Sequence, residues 1–192
     1  MVMLQLSIQD HVLGDLDGPV TLTQYGDYQC PRSAAAQPEV AAILLQYPAG
    51  LLFTFRHFPN ARAHPMAALA AETAEYAAMH NRFWWMHAAL LANSDRLSLA
   101  MLLALGRQFC LPEARLRDAL AIGLCAGRVQ RDVMRGILDE VDDTPAFFIN
   151  GGRLRQHGSD GSALNAAVDV AMKAASRPKL HLRVNDGRSS CS

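Results

Sequence analysis

The sequence predicts a mixed α/β fold in which a strand–helix–strand unit and a strand–strand–helix unit flank a block of helices. Three observations carry this reading. Two β-rich runs, Val20 to Tyr25 and Leu51 to Arg56, lie on either side of one stretch of helical periodicity. From about residue 64 to 138 the chain is rich in Ala and Leu, again with helical spacing and with few β-branched runs. Sheet signals then return at Ala146-Phe147-Phe148-Ile149, followed by the tight-turn sequence Asn150-Gly151-Gly152 and a last amphipathic segment.

Taken in order, Gly18-Pro19 punctuates the N-terminal segment before the first run, Val20-Thr21-Leu22-Thr23-Gln24-Tyr25. Pro31 suits the first turn of a helix, where its missing N–H would have no partner. The pattern from Ser33 to about Gln46 puts Val40, Ile43 and Leu44 on one face, and Tyr47-Pro48-Ala49-Gly50 ends it. Leu51 to Arg56 reads as a buried strand parallel to the first, because strand, helix and strand at this spacing form a βαβ unit. Helices are expected near 64–80, 82–92, 98–109, 112–122 and 126–138, with Pro112 and Gly127 marking boundaries. No Gly/Ser/Pro-rich hinge sets this block off, so it reads as an insertion. Arg153-Leu154-Arg155-Gln156 is the expected partner strand of a hairpin, and Ser162 to Ala175 the last helix. Gly158-Ser159-Asp160-Gly161 reads as a turn and cap, since no Lys-Ser/Thr follows to complete a phosphate loop. The expected organisation is one domain over 10–175 with a helical insertion at about 64–138. A flexible basic tail follows over 176–192, where Arg177, Lys179, Arg183 and Arg188 outnumber Asp186.

Composition excludes several classes of function. Lys+Arg (18) balance Asp+Glu (18), so no global charge draws the chain to nucleic acid or an anionic membrane. The start, MVMLQLSIQDHVLG, lacks the basic opening, long apolar run and cleavage site of a secretory leader, and no stretch approaches a membrane span. The expectation is a soluble, cytoplasmic protein, or a periplasmic one if a leader has been trimmed. Cys30, Cys110, Cys125 and Cys191 are widely spaced and form no metal-binding pairs, and a reducing cytoplasm would keep them as free thiols. Cys110 and Cys125 lie among apolar helical residues and read as small buried hydrophobes. His57, His64, His80 and His87 are dispersed without metal-ligand spacing, so no metal is expected. Phe83-Trp84-Trp85 reads as core packing in preference to a substrate groove.

The stretch DYQCPRS, Asp27 to Ser33, carries the chemistry. A cysteine between a strand end and a helix start meets unpaired N–H groups and the positive end of the helix dipole, which stabilise a thiolate. Arg32 adds positive charge, and the Ser33 hydroxyl, one turn along, is placed to donate a hydrogen bond to the sulfur. Farther along, Thr144-Pro145 sits at the start of a strand.

Five segments in order resemble the DsbA-like branch of the thioredoxin superfamily: Asp10 to Gly14 (DHVLG), Tyr25 to Ser33 (YGDYQCPRS), Arg56 to Pro59, Phe83 to His87 and Thr144 to Gly151. The resemblance spans about residues 10 to 175 and implies a thioredoxin-like fold with an inserted helical domain. It also implies a site in which Cys30 is the nucleophile, Pro31 and Arg32 are the spacers, and Thr144-Pro145 is a cis-proline loop that binds an extended substrate through backbone contacts. Ser33 stands where the family has its resolving cysteine. Asp142-Asp143 stands where a Gly-containing turn is usual and brings negative charge that opposes Arg32.

In a dithiol enzyme the first thiolate attacks a substrate disulfide and the second thiol releases the mixed disulfide. With Ser33 the first half survives without an internal release. The expectation is a thiol–disulfide oxidoreductase using Cys30 alone, with no tightly bound cofactor. Its partners would be protein or small-molecule disulfides, with glutathione the possible co-substrate that resolves the adduct. Cys191 on the tail is another possible resolver. The alternatives are a glutathione transferase or isomerase of kappa type, which likewise uses serine on a DsbA-like scaffold, a non-catalytic binding module, and an engineered Cys-to-Ser replacement at position 33.

Overall fold

A computed structural model describes residues 7–155 and 162–176. Among these, five strands form one sheet: β1 (His11–Gly14), β2 (Val20–Gly26), β3 (Leu51–His57), β4 (Ala146–Ile149) and β5 (Gly152–Arg153), in the order β1-β3-β2-β4-β5. The helices are α1 (Pro31–Gln46), α2 (Ala67–Ala78), α3 (Phe83–Ala92), α4 (Leu99–Gln108), α5 (Glu113–Ala121), α6 (Ala126–Leu138) and α7 (Ser162–Ala175), with a single 3₁₀ turn at Ser94–Arg96. The mixed α/β, thioredoxin-like architecture is the one the sequence predicts. No helix among the described residues is long and apolar enough to cross a membrane.

β2 and β3 pair in parallel, Val20 against Leu51 through Gly26 against His57, with α1 as the crossover that a parallel pair requires. The other pairings are antiparallel. All seven residues of β3 are buried, which explains why the strand reads as a nearly continuous apolar run without alternation. Its two polar terminal residues, Arg56 and His57, must therefore find partners inside the protein.

Leu22, Phe53 and Phe55 of the central strands pack with Ile43 of α1, Met86 and Leu90 of α3, and Leu164 and Val168 of α7 in one core. A smaller cluster joins Tyr25, Val141, Ala146 and Phe148, with Phe58 against it. In the helical block, α2 touches α3, α4, α5 and α6. Its buried face is largely alanine (Ala67, Ala70, Ala71, Ala74 and Ala77), which lets the neighbouring helices approach. α6 in turn packs against β3, and Gly136 is required there, because a Cβ at that position would lie 2.5 Å from the Phe58 ring.

The β4–β5 hairpin closes through Asn150 (φ 49°) and Gly151 (φ 78°), both left-handed, as a two-residue turn between right-twisted strands demands. Its second strand is shorter than expected, ending at Arg153. Gln156, the turn at 158–161, the tail beyond Ser176 and Cys191 all lie outside the described residues. β1 has no counterpart among the expected elements; it is a four-residue edge strand with Leu13 and Gly14 exposed. Gly127 sits inside the first turn of α6 and does not mark its boundary. The reading of Cys110 as a buried hydrophobe is overturned: α4 ends at Gln108, Cys110 turns out through a left-handed conformation (φ 57°), and its side chain is exposed. Cys125 is buried, as expected.

Candidate active site at the start of helix α1

β2 delivers the chain to a four-residue turn, Asp27 to Cys30, and Pro31 opens α1. Cys30 is the N-cap residue with extended backbone (φ −80°, ψ 119°), its carbonyl accepting the Ala34 N–H at 3.1 Å. The sulfur is not spent on capping the helix. Its thiol donates instead to the Thr144 carbonyl at 3.3 Å. The Thr144–Pro145 peptide bond is cis. Cys30 is 4% exposed and lies at an open cavity of about 510 Å³, lined also by Pro31, Arg32, Asn60, His64 and Thr144. Pro145 borders an adjoining cavity that shares Arg32, Asp142 and Asp143 with the first. The fold thus brings together Cys30, Pro31, Arg32, Ser33, Thr144 and Pro145, from positions more than a hundred residues apart.

One detail differs from the sequence reading, and a second adds to it. Ser33 is fully buried, and its hydroxyl accepts the Asp27 N–H at 3.3 Å; no hydrogen bond among the described residues joins it to Sγ. One helical turn carries the side chain inward beneath the Asp27–Cys30 turn, where an unpaired backbone N–H awaits it. The two acids before Thr144 are also each neutralised by an arginine: Asp143 pairs with Arg32, and Asp142 with Arg153. Arg32 holds the Asp143 carboxyl below its usual range, and Arg153 does the same for Asp142. In return Asp143, and after it Cys30, raise the Arg32 guanidinium.

Sequence reasoning gave no role to His64 or Asp27. The Asp27 carboxylate is buried and accepts the Gln29 N–H at 2.8 Å through one oxygen. Its other oxygen takes the Asn60 N–H at 2.9 Å and His64 Nδ1 at 2.8 Å. His64 and Asp27 are 37 residues apart with no shared periodicity, so only the fold shows the pair.

A second polar cluster lies deeper. Arg56 is completely buried and forks onto Asp10, Nε at 3.1 Å and Nη2 at 2.7 Å, while Nη1 donates to the Tyr25 hydroxyl at 3.0 Å. Tyr25 donates onward to Asp139 at 2.6 Å. The neighbouring residues of both segments meet as well: His11 Nε2 and His57 Nε2 each lie 2.8 Å from the same Glu75 oxygen. A carboxylate oxygen only accepts, so both imidazoles present Nε2–H to it. Burial pushes the Glu75 carboxyl up, but the two imidazole hydrogen bonds outweigh it and hold the group well below the usual carboxylate range. His11, His57 and Glu75 have candidate ligand atoms within 4.8 Å of one another, a grouping that could hold a metal ion only if both Nε2 atoms gave up the protons they share with Glu75. The sequence reading treated the histidines as dispersed because β1, β3 and α2 each contribute one member.

His87, fully buried, shares a hydrogen bond between its Nδ1 and the Tyr28 hydroxyl (3.0 Å), and burial pushes its pKa down to about 3. Of the aromatic trio, Phe83 is buried and stacks on His11, with ring centroids 3.4 Å apart. Trp84 donates its indole N–H to the Val12 carbonyl at 3.2 Å. Trp85 departs from the core reading: it is 62% exposed and lines a shallow cleft with His11 and Arg82.

Comparison with known proteins agrees with this architecture. A family model described as thioredoxin matches residues 6–169. The chain is 40% identical over 181 residues to Na(+)/H(+) antiporter NhaA 3 of Salinispora tropica, covering 94% of this chain and 26% of that protein. It is also 40% identical over 164 residues to NhaA 1 of Salinispora arenicola, covering 85% and 25%. The chain therefore spans about a quarter of the length of these curated relatives. Among solved structures, oxidised BdbD of Bacillus subtilis superposes with a TM-score of 0.78 at 21% identity, covering 90% of this chain and 98% of that one. A thioredoxin-like oxidoreductase from Silicibacter pomeroyi gives 0.73 at 22%, covering 87% and 94%. Alpha-DsbA1 of Wolbachia pipientis gives 0.74 at 18%, covering 90% and 95%.

Proposed function

The chain belongs to the thioredoxin family and has the fold of its DsbA-like members, and on that basis we propose that it is a thiol–disulfide oxidoreductase with Cys30 as its single active-site nucleophile. The observation that carries the reading is the placement of Cys30 Sγ. It stands at the N-terminus of α1, against the Thr144 carbonyl, on an open cavity, and helix capping makes no use of it.

The Cys30 sulfur, as thiolate, attacks one sulfur of a substrate disulfide. The S–S bond breaks, one half departs as a thiolate, and the other stays on Cys30 as a mixed disulfide. Thr144-Pro145 offers backbone groups to the extended segment that carries the substrate sulfur, and Pro31 and Arg32 form the facing wall. Ser33 is buried beneath the turn and has no thiol with which to displace the adduct. A second, low-molecular-weight thiol such as glutathione completes the cycle, and no tightly bound cofactor is needed. A reducing compartment such as the cytoplasm suits this chemistry because it supplies that thiol. The competing reading, a binding module that engages partners along the cis-proline loop without turnover, draws on the low exposure of Cys30.

Alkylation separates the two. As an active nucleophile, Cys30 reacts with iodoacetamide at neutral pH faster than the exposed Cys110, and Cys30→Ser abolishes glutathione-dependent disulfide reduction. If Cys30 reacts no faster than Cys110, the oxidoreductase reading fails. Mass spectrometry of protein isolated from cells adds an independent measure, the expected species being a thiol adduct on Cys30.

A further inference from the structure

A single-thiol mechanism leaves one step without a protein group: the incoming thiol must lose its proton before its sulfur can attack. The Cys30 cavity contains a side chain equipped for that. His64 lines it, with its side chain 22% exposed, and its Nδ1 is taken up by the Asp27 carboxylate at 2.8 Å. An ionised carboxylate only accepts, so Asp27 fixes the neutral imidazole as the Nδ1–H tautomer and leaves Nε2 as a lone-pair acceptor. Nε2 has no hydrogen-bond partner among the described residues. Asp27 is itself immobilised, because backbone N–H groups of Gln29 and Asn60 occupy its oxygens beside His64. An imidazole oriented by a buried carboxylate, on the same cavity as a sulfur nucleophile, is a setting in which proteins move a proton to and from sulfur.

We propose that His64, oriented by Asp27, is the proton-transfer residue that activates the low-molecular-weight thiol resolving the Cys30 mixed disulfide. The inference rests on the oxidoreductase reading above. An incoming thiol gives its proton to His64 Nε2, and its sulfur attacks the substrate sulfur of the mixed disulfide. The bond to Cys30 breaks with its electron pair on Cys30 Sγ. The products are a disulfide of substrate and thiol, and a Cys30 thiolate that recovers the proton from His64 or from solvent. The other charged groups on this cavity are Arg32, Asp142, Asp143 and Arg62. Asp143 is paired with Arg32 and Asp142 with Arg153, so neither acid competes with Nε2 for the proton.

A purely structural His64, serving only to tie the Asn60 loop to the Asp27 turn, makes a different prediction, and the acidity of the resolving thiol separates the two. Two thiols are used on the full chain: glutathione, mostly protonated at neutral pH, and an aromatic thiol acidic enough to be ionised there. His64→Asn keeps an amide N–H near the Nδ1 position and removes Nε2. Its expected effect is a roughly 10- to 100-fold slower resolution with glutathione, within the range of general-base catalysis. Resolution by the aromatic thiol stays within about twofold of wild type, and so does formation of the mixed disulfide. Equal losses with both thiols, or no loss with either, overturn the proposal. Should the variant not fold, the wild type decides alone. Its glutathione rate is expected to exceed what the thiolate fraction predicts between about pH 6 and 8, and a rate that tracks the thiolate fraction throughout overturns the proposal. A wild type on which no mixed disulfide forms at Cys30 signals failure of the oxidoreductase reading itself.

Discussion

Arg32, the second residue of α1, and Asp143, the residue before Thr144, form an ion pair that ties together the two segments flanking Cys30. Both side chains are more than 60% exposed, so the pair contributes little to stability, on the order of 0–1 kcal/mol. Its effect is on charge at the sulfur. Asp143→Asn frees the guanidinium and is expected to speed alkylation of Cys30 by neutral iodoacetamide severalfold, while Arg32→Ala slows it. Both effects fade at 1 M salt, where screening acts within about 3 Å. A melting temperature that shifts strongly in either variant would show that the pair is structural after all.

Ser33→Cys places a thiol at the position from which a mixed disulfide is resolved internally. The expected product after mild oxidation is a disulfide between Cys30 and the introduced thiol, seen as a mass loss of about 2 Da in the non-reduced protein. Release of substrate in this variant no longer depends on added glutathione. Persistent dependence would mean that the buried orientation of residue 33 keeps its side chain from Cys30.

Arg56 supports the sheet from inside. Replacing it with Met leaves Asp10 as a buried charge without its bidentate partner, and breaking such a pair costs about 3–5 kcal/mol. Chemical denaturation of Arg56→Met is expected to show a loss of that size. A loss below about 1 kcal/mol would mean that water reaches Asp10.

Acid acts on the fold through two buried groups with different windows. The folded pKa of His87 is about 3, against an ordinary value of about 6.5 for the unfolded chain. Between those values the unfolded chain binds one more proton than the folded one. Stability therefore falls, by about 1.4 kcal/mol per pH unit, as pH drops through that window. Glu75, held low by His11 and His57, adds a further loss only below the ordinary carboxylate range, because its stabilisation is fully present above it. Denaturation midpoints at about pH 7, 5.5 and 4 test this: His87→Phe is expected to flatten the decline between about pH 6.5 and 4.5, and an unchanged slope contradicts the assignment.

The elements legible in the sequence are those whose burial writes a period into it: β2, α1, β3, the helices of the insertion, β4 and α7. β1 left no such mark, being four residues long and half exposed at a sheet edge. Cys110 looked buried because its neighbours are apolar, yet one left-handed residue after a helix end turns it to solvent. At the site, Cys30 is visible as local sequence at a helix start, and Thr144 and Pro145 through the resemblance to the DsbA-like branch. The Asp27–His64 pair and the convergence of His11, His57 and Glu75 are not, because each joins elements far apart in the chain and has no spacing to detect. Trp85 shows the same limit within three residues: adjacent helix positions point about 100° apart, so one aromatic of the trio faces solvent while another fills the core.

The short segment before β2 matters to anyone who trims this unit from its N-terminal side. Ser7 to Gly14 contains little hydrophobic core, and a boundary drawn at Gly18-Pro19, just ahead of the first long strand, looks natural. Such a cut would remove Asp10 from Arg56 and His11 from Glu75, and would also release Gln9, which holds Arg128 and Arg131 of α6. The remaining fragment would keep most of its apolar contacts while enclosing a guanidinium without its bidentate carboxylate, with Asp139 at 3.7 Å as a remaining acid, and its poor yield would be an electrostatic failure that a hydrophobicity plot would not foresee.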